Sequence, residues 1–449
     1  PLLLMVFLPY VGCKSNIFRK LFLIYSGITF FLYSLISIID IEFYKELGTH
    51  LNILAWQTNA YSKEVWQFAW REHPVFFYII SIFFIVYLWI RLIKRFMPNK
   101  NEINNSFFIR IISFLIGIIT IGTCIRGGWQ ERPIDWGHAM FSKNQLANQS
   151  ALNPLFNLGR SIIQLNSEKN ISNLIQYMDD DLAFSITRKM ILNPNEYYVD
   201  STTLKRNIVD PATIKHHIIL VVLESFLGSY CGFINPKNTD VTPNLNYIAN
   251  SGINCSHAFA SGKRSAYGLS SILCSWPVLP GFPLISQLES QGETETIGTL
   301  LKKINYSTYF IYGGDADFDN MAGFVISNGF DKVIEQKDFP NDTPGTMWGV
   351  FDEHIFNYAK NIMDTAQSPT LITMFTTTNH QPWVMPENSS NKIPRFSVKY
   401  FGKPQILRTM AYTDHVIGEF MRENEGKEWF NNTIFVFISD HGFNEFNGM

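Results

Sequence analysis

Acidic and imidazole side chains follow predicted strands in the second half of the chain. Glu224 follows an apolar run at Ile218 to Leu223, and Asp440 with His441 follows another at Thr433 to Ser439. Carboxylate oxygens and an imidazole nitrogen are suitable ligands for Mn²⁺, Mg²⁺ or Zn²⁺. Alone, Glu224 is explained equally well as a helix-capping acid, and Asp440-His441 as an ordinary turn. Their predicted position at one edge of a single sheet favours a metal site.

Ser265 supplies a hydroxyl group that could work with such a metal. It precedes an apolar run, Ala266 to Leu273, that we expect to be helical, so the hydroxyl would lie at the positive end of the helix dipole. Metal coordination would lower the pKa of the hydroxyl and generate a nucleophilic alkoxide. The structural alternative is that Ser265 only caps the helix. Spacing alone does not distinguish it from the neighbouring hydroxyl groups of Ser261, Ser270 and Ser271.

Further polar residues are expected at the same edge. Lys263 and Arg264 come directly before the serine and could hold an anionic group, while Asn379 and His380 follow a predicted strand at residues 371–376. In open, mostly parallel sheets, ligands bind beyond the carboxyl ends of the strands. We therefore expect the carboxylates and imidazoles that follow three of the strands to lie together at the carboxyl edge of the sheet.

The elements that must position these residues alternate between strands and helices after Pro211. Thr242 and Pro243 provide an N-cap and a first helical residue, and Gly252 ends that helix. The other predicted elements are a strand at Thr308 to Tyr312 and helices at Thr296 to Ile304 and Gln405 to Glu423. Such alternation indicates an α/β domain with a mostly parallel sheet that is covered on both faces.

The first part of the chain is of a different kind. Leu21 to Ile39, Val75 to Ile90 and Ile111 to Ile125 are apolar segments that we expect to cross a membrane, and Pro1 to Cys13 resembles the end of another span. The alternative, buried helices of a soluble core, fits poorly with three such segments within 130 residues.

The basic residues between these segments predict the orientation of the chain. They precede the first complete span and follow the second, so these loops should be cytoplasmic and the chain should emerge on the outer side after Ile125. They are Lys14, Arg19, Lys20, Arg91, Lys94, Arg95 and Lys100. We therefore expect transmembrane helices in residues 1–127, a linker with amphipathic helices such as Pro154 to Ile163 in residues 128–210, and an extracytoplasmic catalytic domain in residues 211–449.

Composition narrows the class of protein. The 449 residues are 46% hydrophobic and only 16% charged, with a net charge of −2, so there is no basic excess to bind nucleic acid. The five cysteines form no metal-binding pattern, although Cys231, Cys255 and Cys274 could include one disulfide outside the cytoplasm. Because the chain starts inside an apolar run and stops just after Gly442, we expect a fragment whose catalytic domain is incomplete.

From about Asp40 to its end, the chain resembles the lipoteichoic acid synthase family of the alkaline phosphatase and sulfatase superfamily. The resemblance is carried by six segments in matching order and spacing. They are VVLESF (221–226), SGKRSAYGLSSIL (261–273), YGGDADFDNM (312–321), SNGFD (327–331), TTTNHQPW (376–383) and FISDHGF (437–443).

The resemblance implies roles for individual residues. Glu224, Asp440 and His441 would bind the metal, with Mn²⁺ preferred over Mg²⁺ or Zn²⁺. Ser265 would replace the usual threonine nucleophile and also contact the metal, and His380 would bind or protonate the substrate. Asp315 and Asp317 fall in a substrate-side loop, where Tyr312 and these acids replace a histidine and other polar groups of the synthases.

The implied reaction moves a phosphoglycerol-type head group. Ser265 would attack a phospholipid such as phosphatidylglycerol, diacylglycerol would leave, and a glycan or glycolipid hydroxyl would accept the group. The enzyme would be a multi-pass protein of the bacterial cytoplasmic membrane.

Three other functions are compatible with parts of the sequence. The first is a phosphoethanolamine transferase that uses phosphatidylethanolamine. The second is a hydrolase of the sulfatase or phosphodiesterase type, although neither Ser265-Ala266-Tyr267 nor the segment CSWPV (274–278) fits the C/S-x-P-x-R pattern of sulfatases. The third is a non-catalytic membrane protein with a degenerate site, against which the intact Glu224, Ser265, Asp440 and His441 argue.

Overall fold

A computed structural model describes most of the chain in two compact units. The described residues are 16–47, 50–51, 70, 73–97, 107–129, 133–134, 136–142, 144–163, 178–209, 214–238, 240–255, 257–278, 282–287, 290–292, 294–389, 391–396 and 404–442. One unit lies within residues 1–139 and 149–166, and the other within 140–148 and 167–449. The predicted span at Pro1 to Cys13 lies outside the described residues.

The first unit contains long apolar helices. They are α1 (Asn16–Leu47), α2 (Val75–Phe96) and α3 (Phe107–Arg126). Within α1 and α2, Arg19–Lys45 and Val75–Phe96 are long and apolar enough to cross a membrane, and the apolar stretches are only 11% and 6% buried. In α3, the apolar stretch Phe114–Arg126 is shorter. Surfaces this apolar and this exposed are typical of helices that contact lipid.

Two short helices follow α3 in the chain. They are α4 (Gln145–Ser150) and α5 (residues 154–163), which coincides with the predicted amphipathic segment. A longer helix, α6 (Asp180–Ile191), precedes the first strand of the second unit.

The second unit is built on a five-stranded sheet. Its strands are β3 (His217–Leu223), β4 (Ser307–Tyr312), β5 (Lys332–Ile334), β8 (Thr370–Phe375) and β9 (Thr433–Ser439), in the spatial order β5-β4-β8-β3-β9. All four pairings are parallel, so the carboxyl ends of all five strands lie at one edge. Two antiparallel hairpins accompany it, β1 (Glu196–Tyr198) with β2 (Arg206–Ile208), and β6 (Gly345–Thr346) with β7 (Gly349–Val350).

Helices cover both faces of this sheet because β3 is apolar on both. Ile219 and Val221 belong to one buried cluster, and Leu220 and Val222 belong to the other. The first cluster includes residues of α7 (Pro243–Ser251), α11 (Asp352–Asp364) and α12 (Pro404–Asn424). The second includes residues of α8 (Ser265–Cys274) and α10 (Met321–Ser327), with α9 (Ile297–Lys302) packed against it. A short helix, α13 (Glu428–Asn431), precedes β9.

The predicted α/β fold with a parallel sheet is therefore confirmed. The predicted strands and helices of this unit are present, with ends that differ by at most two residues. The sequence analysis did not predict α10, α11, β5 or the β6–β7 hairpin. No disulfide joins the cysteines that the structure describes, which are Cys124, Cys231, Cys255 and Cys274.

Candidate active site at the carboxyl edge of the sheet

Glu224 lies in a tight turn directly after β3. Its backbone N–H donates to Thr376 Oγ1 at the end of β8 (2.9 Å), which fixes the turn to the neighbouring strand. Ser225 adopts a left-handed conformation (φ 51°), an unfavourable region for residues other than glycine that is often found at functional sites. The Ser225 N–H donates to Asp440 Oδ1 (2.8 Å) and its hydroxyl donates to Glu224 Oε1 (2.6 Å). The turn thus links the first carboxylate to the second.

Asp440 and His441 occupy the equivalent position after β9. Asp440 is 1% exposed, and its Oδ1 also accepts from the His441 N–H (2.6 Å). The Nδ1 N–H of His441 donates to the Gly442 carbonyl (2.7 Å), which leaves Nε2 as the acceptor atom of the neutral imidazole. This Nε2 lies 3.4 Å from Asp440 Oδ2 and 3.7 Å from Glu224 Oε1.

Ser265 is the first residue of α8 and points into this cluster. Its hydroxyl donates to Glu224 Oε2 (3.1 Å) and lies 3.3 Å from His441 Nε2. The helix approaches closely because Gly268 has no side chain, since a Cβ there would lie 2.3 Å from the Asp440 carbonyl oxygen. The position of Ser265 therefore depends on glycine one turn further along the helix.

The other hydroxyl groups considered from the sequence lie elsewhere. Ser270 donates to the Ala266 carbonyl and accepts from the Ile285 N–H, so it serves the structure of the helix. Ser271 makes no hydrogen bond with its side chain among the described residues, and Ser261 is exposed. Of these serines, only Ser265 contacts Glu224 and His441.

The donor atoms fit a divalent cation. Ligand atoms of Glu224, Asp440 and His441 all lie within 4.8 Å of one another in a buried setting. Asp440 Oδ2 is buried and has no hydrogen-bond partner among the described residues. Burial, together with the nearby carboxylate of Glu224, raises the pKa of Asp440 well above its usual range. A divalent cation at this position would offset the repulsion between buried acceptor atoms that face one another in this way.

The predicted substrate-binding residues have more varied positions. Lys263 is exposed, whereas the Arg264 guanidinium pairs with Asp319 (3.2 Å). Asp315 Oδ1 accepts from the Asp317 N–H (3.0 Å) and so stabilises its own loop. The sequence analysis did not identify Asp319, which lies in the motif YGGDADFDNM but is less conspicuous than the two acids before it.

His380 lies against an aromatic side chain that the sequence analysis missed. Its ring is 4.1 Å from the indole of Trp348, at the tip of the β6–β7 hairpin, and Trp348 Nε1 donates to the Gln381 carbonyl (2.6 Å). The hairpin rests on the loop after β4, where a Cβ on Gly314 would lie 2.2 Å from the Trp348 carbonyl oxygen. The strands of this hairpin have only two residues each, which gives no periodic signal.

Tyr312 packs in the interior of the second unit. It is 6% exposed and its ring stacks on Phe375 of β8 (5.2 Å between centroids), so it belongs to the core of the sheet.

Comparison with known proteins places this geometry in a family. Residues 216–447 match the model of the sulfatase family. The chain is 26% identical over 247 residues to phosphoglycerol transferase I of Citrobacter koseri, which covers 50% of this chain and 30% of that protein. It is also 26% identical over 258 residues to phosphoglycerol transferase I of Salmonella typhi, covering 52% and 32%. The chain thus spans about a third of the length of these curated relatives.

Two solved structures have partial similarity to the chain. A protein of the alkaline phosphatase superfamily from Vibrio parahaemolyticus is 28% identical, with a TM-score of 0.47 and coverage of 53% of this chain and 57% of that one. The lipoteichoic acid synthase LtaP from Listeria monocytogenes is 21% identical, with a TM-score of 0.46 and coverage of 52% and 58%.

The match to the sulfatase family model covers more than half of the residues and includes β3, α8 and β9, which together hold Glu224, Ser265, Asp440 and His441. The predicted resemblance to an alkaline phosphatase and sulfatase superfamily is thereby confirmed, and the chain belongs to the sulfatase family.

Proposed function

We propose that this protein is a membrane-bound phosphotransferase that moves a phosphoglycerol-type head group from a phospholipid to an acceptor hydroxyl through a covalent intermediate on Ser265. The observation that carries the proposal is the contact of the Ser265 hydroxyl with Glu224 and His441, beside Asp440. The relatives named phosphoglycerol transferase I support the choice of head group.

In the first displacement, Ser265 Oγ attacks phosphorus of a donor such as phosphatidylglycerol. The new bond joins serine oxygen to phosphorus, the bond to the diacylglycerol oxygen breaks, and diacylglycerol leaves after it gains a proton. The Ser265 hydroxyl already donates toward Glu224 Oε2, so its proton leaves on the side of the carboxylates. Its place at the N-terminus of α8 favours negative charge on the serine oxygen.

In the second displacement, a hydroxyl group of a glycan or glycolipid attacks the same phosphorus. The serine–phosphorus bond breaks, the serine oxygen regains a proton, and the head group ends on the acceptor. We assign His380 to the substrate side, where it binds or protonates an oxygen, and Trp348 holds its ring in place.

A divalent cation, with Mn²⁺ preferred, would be held by Glu224, Asp440, His441 and Ser265, and would supply positive charge that stabilises the serine alkoxide and the phosphoryl oxygens. Lys263, Arg264, Asp315 and Asp317 would surround the substrate.

We also propose that the catalytic domain lies outside the cytoplasm, next to the bilayer. The basic residues that flank α1 and α2 support the proposed side of the membrane. The helix at residues 154–163 supports contact of the first unit with the bilayer, because it exposes apolar residues and buries polar ones, the reverse of a helix on a soluble protein. Leu155, Phe156, Ile162 and Ile163 are exposed, and Asn157 and Ser161 are buried. The donor lipid would then reach the site without leaving the membrane surface.

Replacement of the nucleophile tests the proposal. Ser265→Ala should reduce release of diacylglycerol from fluorescent phosphatidylglycerol by on the order of 10³-fold or more, because no oxygen remains to attack phosphorus. Ser265→Thr keeps the hydroxyl and should keep measurable activity, and Ser261→Ala is a control for a nearby exposed serine. Full activity of Ser265→Ala would overturn the covalent mechanism.

The same assay identifies the head group. Phosphatidylglycerol and phosphatidylethanolamine are offered separately, together with an aryl sulfate, and metal content is measured on the purified protein. Preference for phosphatidylethanolamine would replace phosphoglycerol by phosphoethanolamine, and hydrolysis of the sulfate ester would instead indicate a sulfatase. A protein that binds no Mn²⁺, Mg²⁺ or Zn²⁺ would contradict the metal site.

A further inference from the structure

The Arg264–Asp319 ion pair places an acid beside the basic residue that precedes the candidate nucleophile. Arg264 Nη2 lies 3.2 Å from Asp319 Oδ2 and 3.5 Å from Oδ1. Arg264 is the N-cap residue of α8, so it adjoins Ser265 in the chain. Asp319 comes from the loop beyond the carboxyl end of β4, at the same edge of the sheet.

Asp319 is held in an unfavourable conformation. Its φ is 50° and that of Asn320 is 61°, so two successive residues other than glycine are left-handed. Surrounding contacts maintain the turn, since Asn320 Nδ2 donates to the Ile285 carbonyl (3.1 Å) and the Ala322 N–H donates to the Ala316 carbonyl (2.8 Å). Conformations of this kind persist only where neighbouring structure enforces them.

The ion pair contributes little to folding. The side chains of Arg264 and Asp319 are 61% and 22% exposed, and ion pairs that water can reach add little to the stability of a protein. The main effect of the pair is therefore on the charge beside Ser265 and not on folding stability.

The Asp319 carboxylate offsets the charge of Arg264 beside Ser265, so it disfavours a substrate with two negative charges more than a substrate with one. The carboxylates of Glu224 and Asp440 offset a divalent cation, and Asp319 offsets Arg264. A phosphodiester carries one negative charge, whereas a phosphomonoester carries nearly two at neutral pH.

We propose that Asp319 is a specificity-determining residue that, by pairing with Arg264, makes the site select phosphodiesters over phosphomonoesters. The inference rests on the proposed function, because it concerns the substrate of the same site. Asp319 acts through Arg264 and through the local charge, so it is a positioning residue and not a catalytic one.

The test compares two chromogenic esters, bis(p-nitrophenyl) phosphate and p-nitrophenyl phosphate, with the full chain in detergent. Asp319→Asn removes the negative charge and keeps the shape, so the diester-to-monoester ratio of kcat/KM should fall by about threefold or more, mainly through a lower KM for the monoester. Asp319→Glu restores the charge and should restore the ratio. Glu295→Gln is the matched control, because it removes the acid of another exposed pair (Lys303 to Glu295, 2.5 Å) near the amino end of β4.

A binding measurement separates the two proposals. In a Ser265→Ala background at about pH 8, titration calorimetry compares dimethyl phosphate with methyl phosphate, which is a dianion there. Addition of Asp319→Asn should strengthen methyl phosphate binding relative to dimethyl phosphate by about threefold. Wild-type protein that cleaves neither ester contradicts the proposed function, whereas unchanged kinetic and binding ratios in Asp319→Asn overturn the role of Asp319.

Discussion

The side chain of Asn379 joins three elements beneath the candidate site. Its Nδ2 donates to the carbonyls of Glu224 (3.2 Å) and Ser225 (3.1 Å), and its Oδ1 accepts from Thr409 of α12 (2.6 Å). Asn379 is fully buried, so each of these bonds forms away from water. An amide is needed here because only it can donate to two carbonyls and accept from a hydroxyl group. Asn379 therefore fixes the turn that presents the Glu224 carboxylate.

We expect Asn379→Ala to weaken metal binding by about 10- to 100-fold, the range found for residues that orient metal ligands. The variant leaves the Glu224 and Ser225 carbonyls without donors, and the turn can then move. Titration of the apoprotein with Mn²⁺ measures the affinity directly.

Asn328→Ala is the matched control for this prediction. Asn328 is 1% exposed and bridges the Ser290 and Phe324 carbonyls to the Gly292 and Thr294 N–H groups, on the other side of the domain core. It should lower thermal stability without lowering metal affinity. Equal metal affinities in the two variants would show that Asn379 only stabilises the fold.

At the scale of secondary-structure elements, Asp352 connects α11 to the segment that carries Asn379 and His380. Its Oδ1 accepts from the N–H groups of Thr377 (2.8 Å) and Thr378 (3.1 Å), directly after β8. Its Oδ2 accepts from the Thr413 hydroxyl of α12 (2.6 Å). The carboxyl group is fully buried, and burial raises its pKa above the usual range for aspartate.

This raised pKa predicts a pH dependence of stability. A carboxyl group whose pKa is higher in the folded than in the unfolded state contributes stability at low pH, and that contribution is lost as the pH rises through the folded-state pKa. Asp352→Asn mimics the protonated form and should therefore gain thermal stability relative to wild type as the pH rises from acid to neutral. Asp352→Ala should cost about 1–3 kcal/mol at acid pH, since it leaves two buried N–H groups unpaired, and this cost should become smaller as the pH rises. The melting temperatures of wild type and Asp352→Asn are measured at a series of pH values. A difference between the two proteins that stays constant with pH would contradict the raised pKa.

The same elements show how far sequence patterns predict the fold. The apolar runs of β3 and β9 and the position of Ser265 before an apolar helix were sufficient to predict the strands and α8. At the start of α7, however, the Thr242 side chain accepts no hydrogen bond from a backbone N–H group of the helix. Its hydroxyl instead donates to the side-chain oxygen Oδ1 of Asn246 (3.1 Å).

The cap of α7 comes from a distant residue. Asp414 of α12 accepts from the N–H groups of Asn244 (3.0 Å) and Leu245 (2.7 Å). Asp319 and Asn379 also act through contacts with residues that are 55 and 155 positions away, at Arg264 and Glu224. Local patterns do not contain such pairings, because they depend on which strands and helices become neighbours. The strand ends that carry the candidate metal ligands could be predicted, but the residues that contact and position them could not.

At the scale of the whole molecule, apolar residues are arranged in two different ways in one chain. Apolar residues are exposed along α1 and α2, whereas the apolar residues of β3 and β8 are almost fully buried. A membrane accounts for the first arrangement and a water-soluble domain for the second. The remaining question about the molecule is on which side of the membrane the domain lies.

The cysteines of the second unit provide a test of this orientation. Cys255 is exposed, whereas burial raises the pKa of Cys231 and of Cys274 to about 12 each, so few thiolates form at these two positions at neutral pH. In a background with Cys13→Ser and Cys124→Ser, Cys255 should therefore be the residue that reacts with a maleimide. If the domain is extracytoplasmic, a membrane-impermeant maleimide added to intact cells or spheroplasts should label the protein as fully as it does after lysis. Cys255→Ser should abolish this labelling, and labelling that requires lysis would place the domain in the cytoplasm, away from the donor and acceptor proposed for it.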